Sequence, residues 1–258
     1  MQASTSIKNM HGHTLDGLGL AIVSGRYSVA EALPPEPVLC QQLGVSRTVI
    51  REAVKSLVAK GLITTGPKVG TRVQSQQSWN WFDPDVITWQ AQCGLTPEFL
   101  GDLVELRGVV EPAAAKLAAL KATPQDIAHM ELAYSGMKQA VEQGGDYVSH
   151  DLRFHQGLLL ASHNRMLVQM SKALNALLRT SFEISTRKKD GAKLSLPGHR
   201  AVLDALIKRS PKKAEKAISM LIDGAAQDIQ VVLASRRKLP VVSGSPSQIL
   251  VSNRKSAL

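Results

Sequence analysis

Apolar and basic positions separate cleanly between Val45 and Lys60. Ile50, Val54, Leu57 and Val58 recur at helical spacing and predict a buried stripe, while Arg47, Arg51 and Lys55 fall four apart on another face. Ser46 predicts an N-cap, and Val45 before it can staple onto Ile50 one turn inside. A helix is therefore predicted from about Arg47 to Lys60, with Gly61 ending it. Upstream, Leu15, Leu18 and Ile22 predict a helix over about Thr14 to Ser24, closed by Gly25. A loop over Arg26 to Pro34 leads into a short helix over about Pro35 to Leu43. Pro35 and Pro37 are tolerated there because first-turn amides have no intrahelical partner. Leu62 to Thr65 and Thr71 to Val73 are β-prone and flank Gly66-Pro67-Lys68-Val69-Gly70, which predicts a small hairpin.

Downstream, Gln74 to Ser78 is polar and marks a domain boundary. From Leu95 to Arg237 amphipathic helices follow one another, with breaks near Pro124, Gly144-Gly145, His163-Asn164, Lys189 to Gly198 and Ser210-Pro211. Leu103, Leu106, Val110, Ala114, Leu117 and Leu120 trace one apolar stripe, and Leu152, Leu159, Leu167, Met170, Leu174, Leu177 and Leu178 trace others. The pattern predicts a bundle of roughly six helices, large enough to enclose a pocket. The fold class is mostly α: an N-terminal winged helix-turn-helix plus a C-terminal all-helical bundle. The expected division is a disordered N-terminus over 1–13, a winged helix-turn-helix domain over 14–74, a linker over 75–94, a helical domain over 95–236, and a flexible tail over 237–258. Leu239 to Val242 within that tail is expected to dock weakly. Trp79, Trp81 and Trp89 are expected to pack the linker against the bundle.

Composition sharpens this picture without changing it. Aromatic residues make up 4% of the chain, which suits helices better than strands. The formal net charge of +10 favours a polyanionic partner. Two cysteines, Cys40 and Cys93, exclude a disulfide framework and any four-ligand cysteine site, and they suit a reducing compartment. Lys8, His11, His13 and Asp16 leave no signal-peptide core at the N-terminus. No apolar run is expected to reach membrane-spanning length, so a soluble, cytoplasmic protein is expected.

Three constellations carry chemistry. At the start of the third helix, Ser46, Arg47, Thr48 and Arg51 offer two guanidinium groups and two hydroxyls, which suits insertion into a DNA major groove. Arg47 and Arg51 are placed for guanine edges or phosphates, and Ser46 and Thr48 for phosphates together with the helix N-terminal amides. On the wing, Lys68 and Gly70 are the candidates, and Arg72 could reach phosphates beside Lys68. The second constellation is Asp151 and His155, one turn apart on one face, which is either a structural hydrogen-bonded pair or part of a pocket. The third is Arg107 and Glu111, likewise one turn apart. They form either a salt bridge or a receptor in which the guanidinium fork takes a carboxylate and Glu111 accepts from hydroxyls. His129, His150 and His163 show no convergent partners.

Leu43-Gly44-Val45-Ser46-Arg47-Thr48 with Arg51-Glu52-Ala53, then Leu57, Gly61-Leu62 and the glycine-bounded wing, resembles the GntR family of bacterial transcription regulators. The second domain resembles that family's FadR-type effector-binding (FCD) domain, through Glu105-Leu106-Arg107 with Glu111, Asp151 with Phe154-His155, Asn164, and His199 opening a late helix. The segment from Trp79 to Ile87 resembles the galactonate branch of the family. The resemblance implies a homodimeric, ligand-responsive regulator, a repressor, whose effector is a sugar acid such as an aldonate. It brings His199 to Asp151 and His155, a set that suits Zn²⁺ or a similar divalent ion with open positions for the effector. Relatives supply a fourth ligand, a histidine on the last helix, where this chain has Leu221, so direct hydrogen bonding of a polyhydroxylated ligand stands beside metal binding. Glu36-Pro37 replaces the usual acidic residue and arginine at the start of the second helix, so one DNA contact of relatives is missing. Two rival readings remain: a metal-dependent enzyme built on Asp151, His155 and His199, and a constitutive DNA-binding protein with a vestigial pocket.

Overall fold

The computed structural model describes residues 2–67 and 69–235, which form two compact units dividing between Gly94 and Leu95. In the first unit α1 (Gln2–Val23) packs against α3 (Arg47–Ala59) and α4 (Pro84–Cys93), and α2 (Glu36–Leu43) packs against α3. β1 (Ile63–Gly66) and β2 (Gly70–Val73) pair antiparallel, with Ile63 opposite Val73 and Gly66 opposite Gly70. The chain before α2 adds to this wing: Ala30 and Leu33 donate their amides to the Val73 and Thr71 carbonyls, and Val73 donates back to Glu31.

The third helix forms as its pattern predicts, with Ser46 as N-cap accepting from the Val49 amide at 3.4 Å. Its buried stripe is rotated slightly from expectation. Val49, Ile50, Ala53 and Leu57 are buried, whereas Val58 is exposed, because the core closing on this helix comes from α1 through Leu15, Leu18 and Ile22. Gly61 follows with a φ of 74°, and a Cβ there would stand 2.0 Å from the Ser78 carbonyl oxygen, so only glycine fits.

Three expectations for this unit are corrected. The N-terminus is helical from Gln2, not disordered over 1–13: no proline interrupts the segment, and Thr14 donates its hydroxyl to the Met10 carbonyl at 2.8 Å within a continuous helix. The segment expected as a linker is folded. It forms a 3₁₀ turn at Gln76–Ser78 and then α4, whose N-cap Asp83 accepts from the Asp85 and Val86 amides. Trp79 and Trp89 are buried in the first unit's own core with Trp81 packed beside them, where the expectation set them against the bundle. Trp89 lies so close to α1 that a Cβ on Gly19 would stand 2.5 Å from its ring, and its Nε1 donates to Asp16 at 3.0 Å. Lys60, at the end of α3, reaches Asp83 and Asp85 at 2.8 and 2.7 Å and ties α4 to the third helix.

The second unit is a bundle of α5 (Pro97–Lys121), α6 (Pro124–Gln143), α7 (Tyr147–Ala161), α8 (Arg165–Ser185), α9 (Gly191–Ile207) and α10 (Pro211–Ser235). Its core joins Ala115, Ala118, Met130, Met137, Phe154, Leu158, Leu203 and Ile218. Capping explains the boundaries. Thr123 and Asp126 form a capping box, and Asn164 accepts from the Met166 and Leu167 amides. The expected break over Lys189 to Gly198 is shorter than its glycine and proline suggest, since α9 already begins at Gly191 and carries Pro197 within it. His199 therefore sits in mid-helix and does not open one. On α5 the inward face differs from the predicted stripe: Leu120 is exposed, while Arg107 and Glu111 are buried.

Contrary to expectation, one helix, Pro211–Ala234, is long and apolar enough to cross a membrane by length and composition, with mean hydropathy 1.3 over an 18-residue window. It packs on α5 and α9 as a bundle helix. The expected tail over 237–258, including Leu239 to Val242, lies outside the described residues, as does Lys68.

Candidate functional site

In the bundle two i,i+4 pairs from different helices meet. Arg107 and Glu111 project from α5 and Asp151 and His155 from α7; all are buried, and His199 from α9 joins them. Arg107 donates through Nε to Glu111 Oε1 at 2.7 Å, and His155 Nδ1 donates to Glu111 Oε2 at 2.5 Å. The other side of His155 faces Asp151, with Nε2 3.3 Å from Oδ1. His199 Nε2 approaches the same oxygen at 2.8 Å, while its Nδ1 donates to the Ser195 carbonyl at 3.0 Å. Phe154 and Phe182 wall the cluster: Phe154 stands edge-on to His199 at 5.0 Å, and Phe182 lies 5.0 Å from His155 and beneath the Arg107 guanidinium at 4.8 Å.

Electrostatics follow from burial among opposed charges. Burial pushes the Glu111 carboxyl up, but the charges of Arg107 and His155 and their hydrogen bonds together hold it down to about 2. Burial likewise opposes the charged form of His155, and Glu111 and Asp151 outweigh it, raising His155 to about 9. Burial also raises Asp151, yet the charge of His199 and the hydrogen bonds from both imidazoles take it well below the usual carboxylate range. One guanidinium nitrogen, Arg107 Nη1, is buried without a hydrogen-bond partner among the described residues. Beside His155 a cavity of about 10 Å³, room for one water, is lined by Gln156, Leu159, Ser171 and Asn175 among others.

The donor set fits a divalent cation. Asp151, His155 and His199 each present one ligating atom, all within 4.8 Å of one another. Each imidazole uses its second nitrogen on an acceptor, Glu111 or Ser195, which is the usual outer support of a metal-bound histidine. With Nδ1 donating outward, each Nε2 can face a carboxylate only through a second proton or through a cation. Leu221, from α10, packs against α9 one residue before His199: its Cδ1 would stand 2.9 Å from a Cβ on Gly198. An apolar side chain there adds no ligand.

Sequence reading missed two residues. Tyr147, one turn before Asp151, shares a 2.6 Å hydrogen bond with the Ser195 hydroxyl, and burial followed by the nearby Asp151 charge raises its phenol. Its i−4 spacing from Asp151 was the available signal. Ser195 had none, because its carbonyl acts through the backbone and its hydroxyl meets Tyr147 from 48 residues along the chain.

In the first unit Ser46, Arg47, Thr48 and Arg51 are all exposed at the start of α3. Ser46 is engaged as the cap, and Arg51 donates through Nε to Glu36 at 3.0 Å, so the departure from the family pattern at Glu36-Pro37 leaves a carboxylate holding that arginine. Gly70 is exposed at the start of β2. Arg72 does not extend the wing's basic tip: its guanidinium donates to the Ala30 carbonyl at 2.7 Å. Among the remaining histidines, His163 meets Asp126 at 2.8 Å on the surface, a partner the sequence did not reveal.

Residues 15–73 match the model of the bacterial regulatory proteins of the gntR family, and residues 102–224 match the FCD domain. The galactonate operon transcriptional repressor of Escherichia coli K12 is 34% identical over 83% of this chain and 94% of its own. The uncharacterized HTH-type regulator YieP of the same organism is 30% identical over 83% of this chain and 93% of its own. The solved structure of Lar, which controls expression of the Listeria monocytogenes agr system, shares the fold at TM-score 0.62 and 16% identity, covering 86% of this chain and 96% of that one. With a capped basic helix beside a wing in one unit and a buried, charged cluster in the other, the chain belongs to the gntR family of DNA-binding transcription regulators, in the group that carries an FCD domain.

Proposed function

We propose that the chain is a cytoplasmic, homodimeric repressor of sugar-acid catabolic genes, released from its operator by an aldonate such as galactonate. The observation that carries this reading is the buried cluster itself: a guanidinium with a free Nη1, two carboxylates and two imidazoles under an apolar wall. That array suits a carboxylate bearing several hydroxyls and repels an acyl chain. The 34% identity to a galactonate operon repressor points the same way. Arg107 binds the carboxylate through its free edge, and Glu111 accepts from hydroxyls. Asp151, His155 and His199 hold a divalent ion, which supplies a Lewis-acidic site for effector oxygens. The cluster recognises its ligand and does not turn it over. The cavity beside His155 is far smaller than an aldonate, so binding requires the surrounding side chains to move.

On the DNA side, Arg47 and Arg51 read base edges or phosphates. Ser46 and Thr48 hold phosphate with the α3 amides, and Lys68 and Gly70 approach the backbone from the wing. Two copies place their third helices in half-sites about one helical turn apart.

Gel shift on the DNA upstream of the chain's own gene tests this reading. The unliganded protein retards that DNA, galactonate releases it, and prior chelation raises the galactonate concentration required. Arg47→Ala abolishes the shift, whereas Arg107→Lys keeps it and loses the response. Retardation by Arg47→Ala, or indifference of the wild type to every sugar acid tried, overturns the respective half of the proposal.

A further inference from the structure

Two side-chain rungs of one register join α7 to α9. Tyr147 meets Ser195, and one turn further along both helices Asp151 meets His199, each pair 48 residues apart in the chain. A constant offset over one turn means that the two helices run in the same direction here. The first rung has a settled polarity. Ser195 donates its hydroxyl to the Ala192 carbonyl at 2.9 Å, so at 2.6 Å it receives the proton of the buried Tyr147 phenol. The Ser195 carbonyl in turn accepts from His199 Nδ1 at 3.0 Å. Tyr147 therefore reaches His199 through a single residue.

The two helices differ in what holds their first turns. α7 is capped by Asp146, whose carboxylate accepts from the Ser149 amide at 3.0 Å. α9 follows Asp190, which sits in the left-handed region at a φ of 60° and gives no side-chain cap. Two residues before His199, Pro197 has no amide to offer the Lys193 carbonyl. The turns that present His199 are thus short of their own hydrogen bonds, and the rung from Tyr147 ties them to a helix that is not.

We propose that Tyr147 is a positioning residue for the cation site: through Ser195 it fixes where α9 holds His199, and so the span from His199 to the two α7 ligands, Asp151 and His155. The proposal rests on the cation site in the functional reading above and adds to it a residue outside the donor set. With the rung in place the three donors are set before the ion arrives. Without it the ion itself must order the proline-weakened turns, and affinity falls.

Zn²⁺ titrated into the chelator-stripped full chain against a chromophoric chelator tests this, with Co²⁺ absorption as the second readout. The wild type binds both ions. Tyr147→Phe raises the Zn²⁺ dissociation constant by about tenfold, the lower end of what outer-shell partners contribute. It also shifts the Co²⁺ d–d bands, because His199 meets the ion in a different geometry. The metal-free variant melts as the wild type does, since Ser195 keeps Ala192 as its acceptor and no donor is left unpaired. Ser195→Ala weakens binding likewise, Ser195→Thr keeps wild-type affinity, and Tyr147→Phe/Ser195→Ala is no weaker than the weaker single variant, because both break one rung. Wild-type affinity and spectrum in Tyr147→Phe overturn the proposal and leave the cation site standing. A lower melt of metal-free Tyr147→Phe with an unchanged Co²⁺ spectrum makes the rung a purely structural tie and overturns it too. A wild type that takes up neither ion overturns the cation reading and this proposal with it.

Discussion

Glu111 is the residue on which the bundle's two i,i+4 pairs depend, since it accepts from Arg107 with one oxygen and from His155 with the other. Arg107→Ala leaves a fully buried carboxylate short of its main counter-charge and destabilises the bundle by about 3–5 kcal/mol. Arg107→Met/Glu111→Gln removes both charges and keeps an acceptor for His155, so its loss is smaller by roughly 2 kcal/mol. Denaturant melts followed by circular dichroism compare the two, and a double variant no more stable than the single one refutes the pairing. The same network makes cation binding a proton exchange. His155, held protonated up to about pH 9, must become neutral at Nε2 to ligate. Zn²⁺ added to chelated protein at pH 7 therefore releases protons, and calorimetry in two buffers of different ionisation enthalpy gives different apparent heats. Identical heats would show that the imidazoles are not the ligands. Both pairs were legible from four-residue spacing. Their meeting at Glu111 was not, because His155 lies 44 residues further along the chain and no local pattern records which helix faces which.

Elements show the same limit from the other side. The third helix was legible because its cap, its staple and its charge separation all lie within one short segment. The place of the tryptophan-rich segment in the first unit's core was not legible, because Trp89's partners, Asp16 and Gly19, lie about seventy residues upstream on α1. Gly19 carries no pattern at all in the sequence; its meaning is only that a ring fits where a methyl would not. Gly19→Ala pushes Trp89 off α1, and overpacking of this kind costs about 1–3 kcal/mol. All three tryptophans, Trp79, Trp81 and Trp89, lie in the first unit, so tryptophan emission, excited beyond the tyrosine absorption band, reports that unit alone. The midpoint by fluorescence falls in Gly19→Ala while the bundle's transition stays in place. An unchanged fluorescence midpoint would mean that α4 is not seated against α1 in solution.

At the scale of the whole molecule the two units are joined at Gly94–Leu95 and carry separate chemistry, exposed and basic in one, buried and of mixed charge in the other. A regulator built this way works only if the two sites are coupled, and coupling between binding equilibria is reciprocal. Taking the operator-bound fraction from 99% to 1% requires the effector to prefer the released state by roughly 5.5 kcal/mol, about a ten-thousandfold ratio of affinities. The operator must then weaken effector binding by the factor with which the effector weakens operator binding. Galactonate affinity, measured calorimetrically on the free protein and on protein saturated with operator, is expected to differ by the same ratio as operator affinity measured with and without saturating galactonate. Arg107→Lys brings both ratios toward one, because it removes the differential contact and leaves the DNA face alone. Two ratios that disagree in the wild type would mean that galactonate acts on a species other than the operator-binding one, and the bundle's cluster would no longer be the input of the switch.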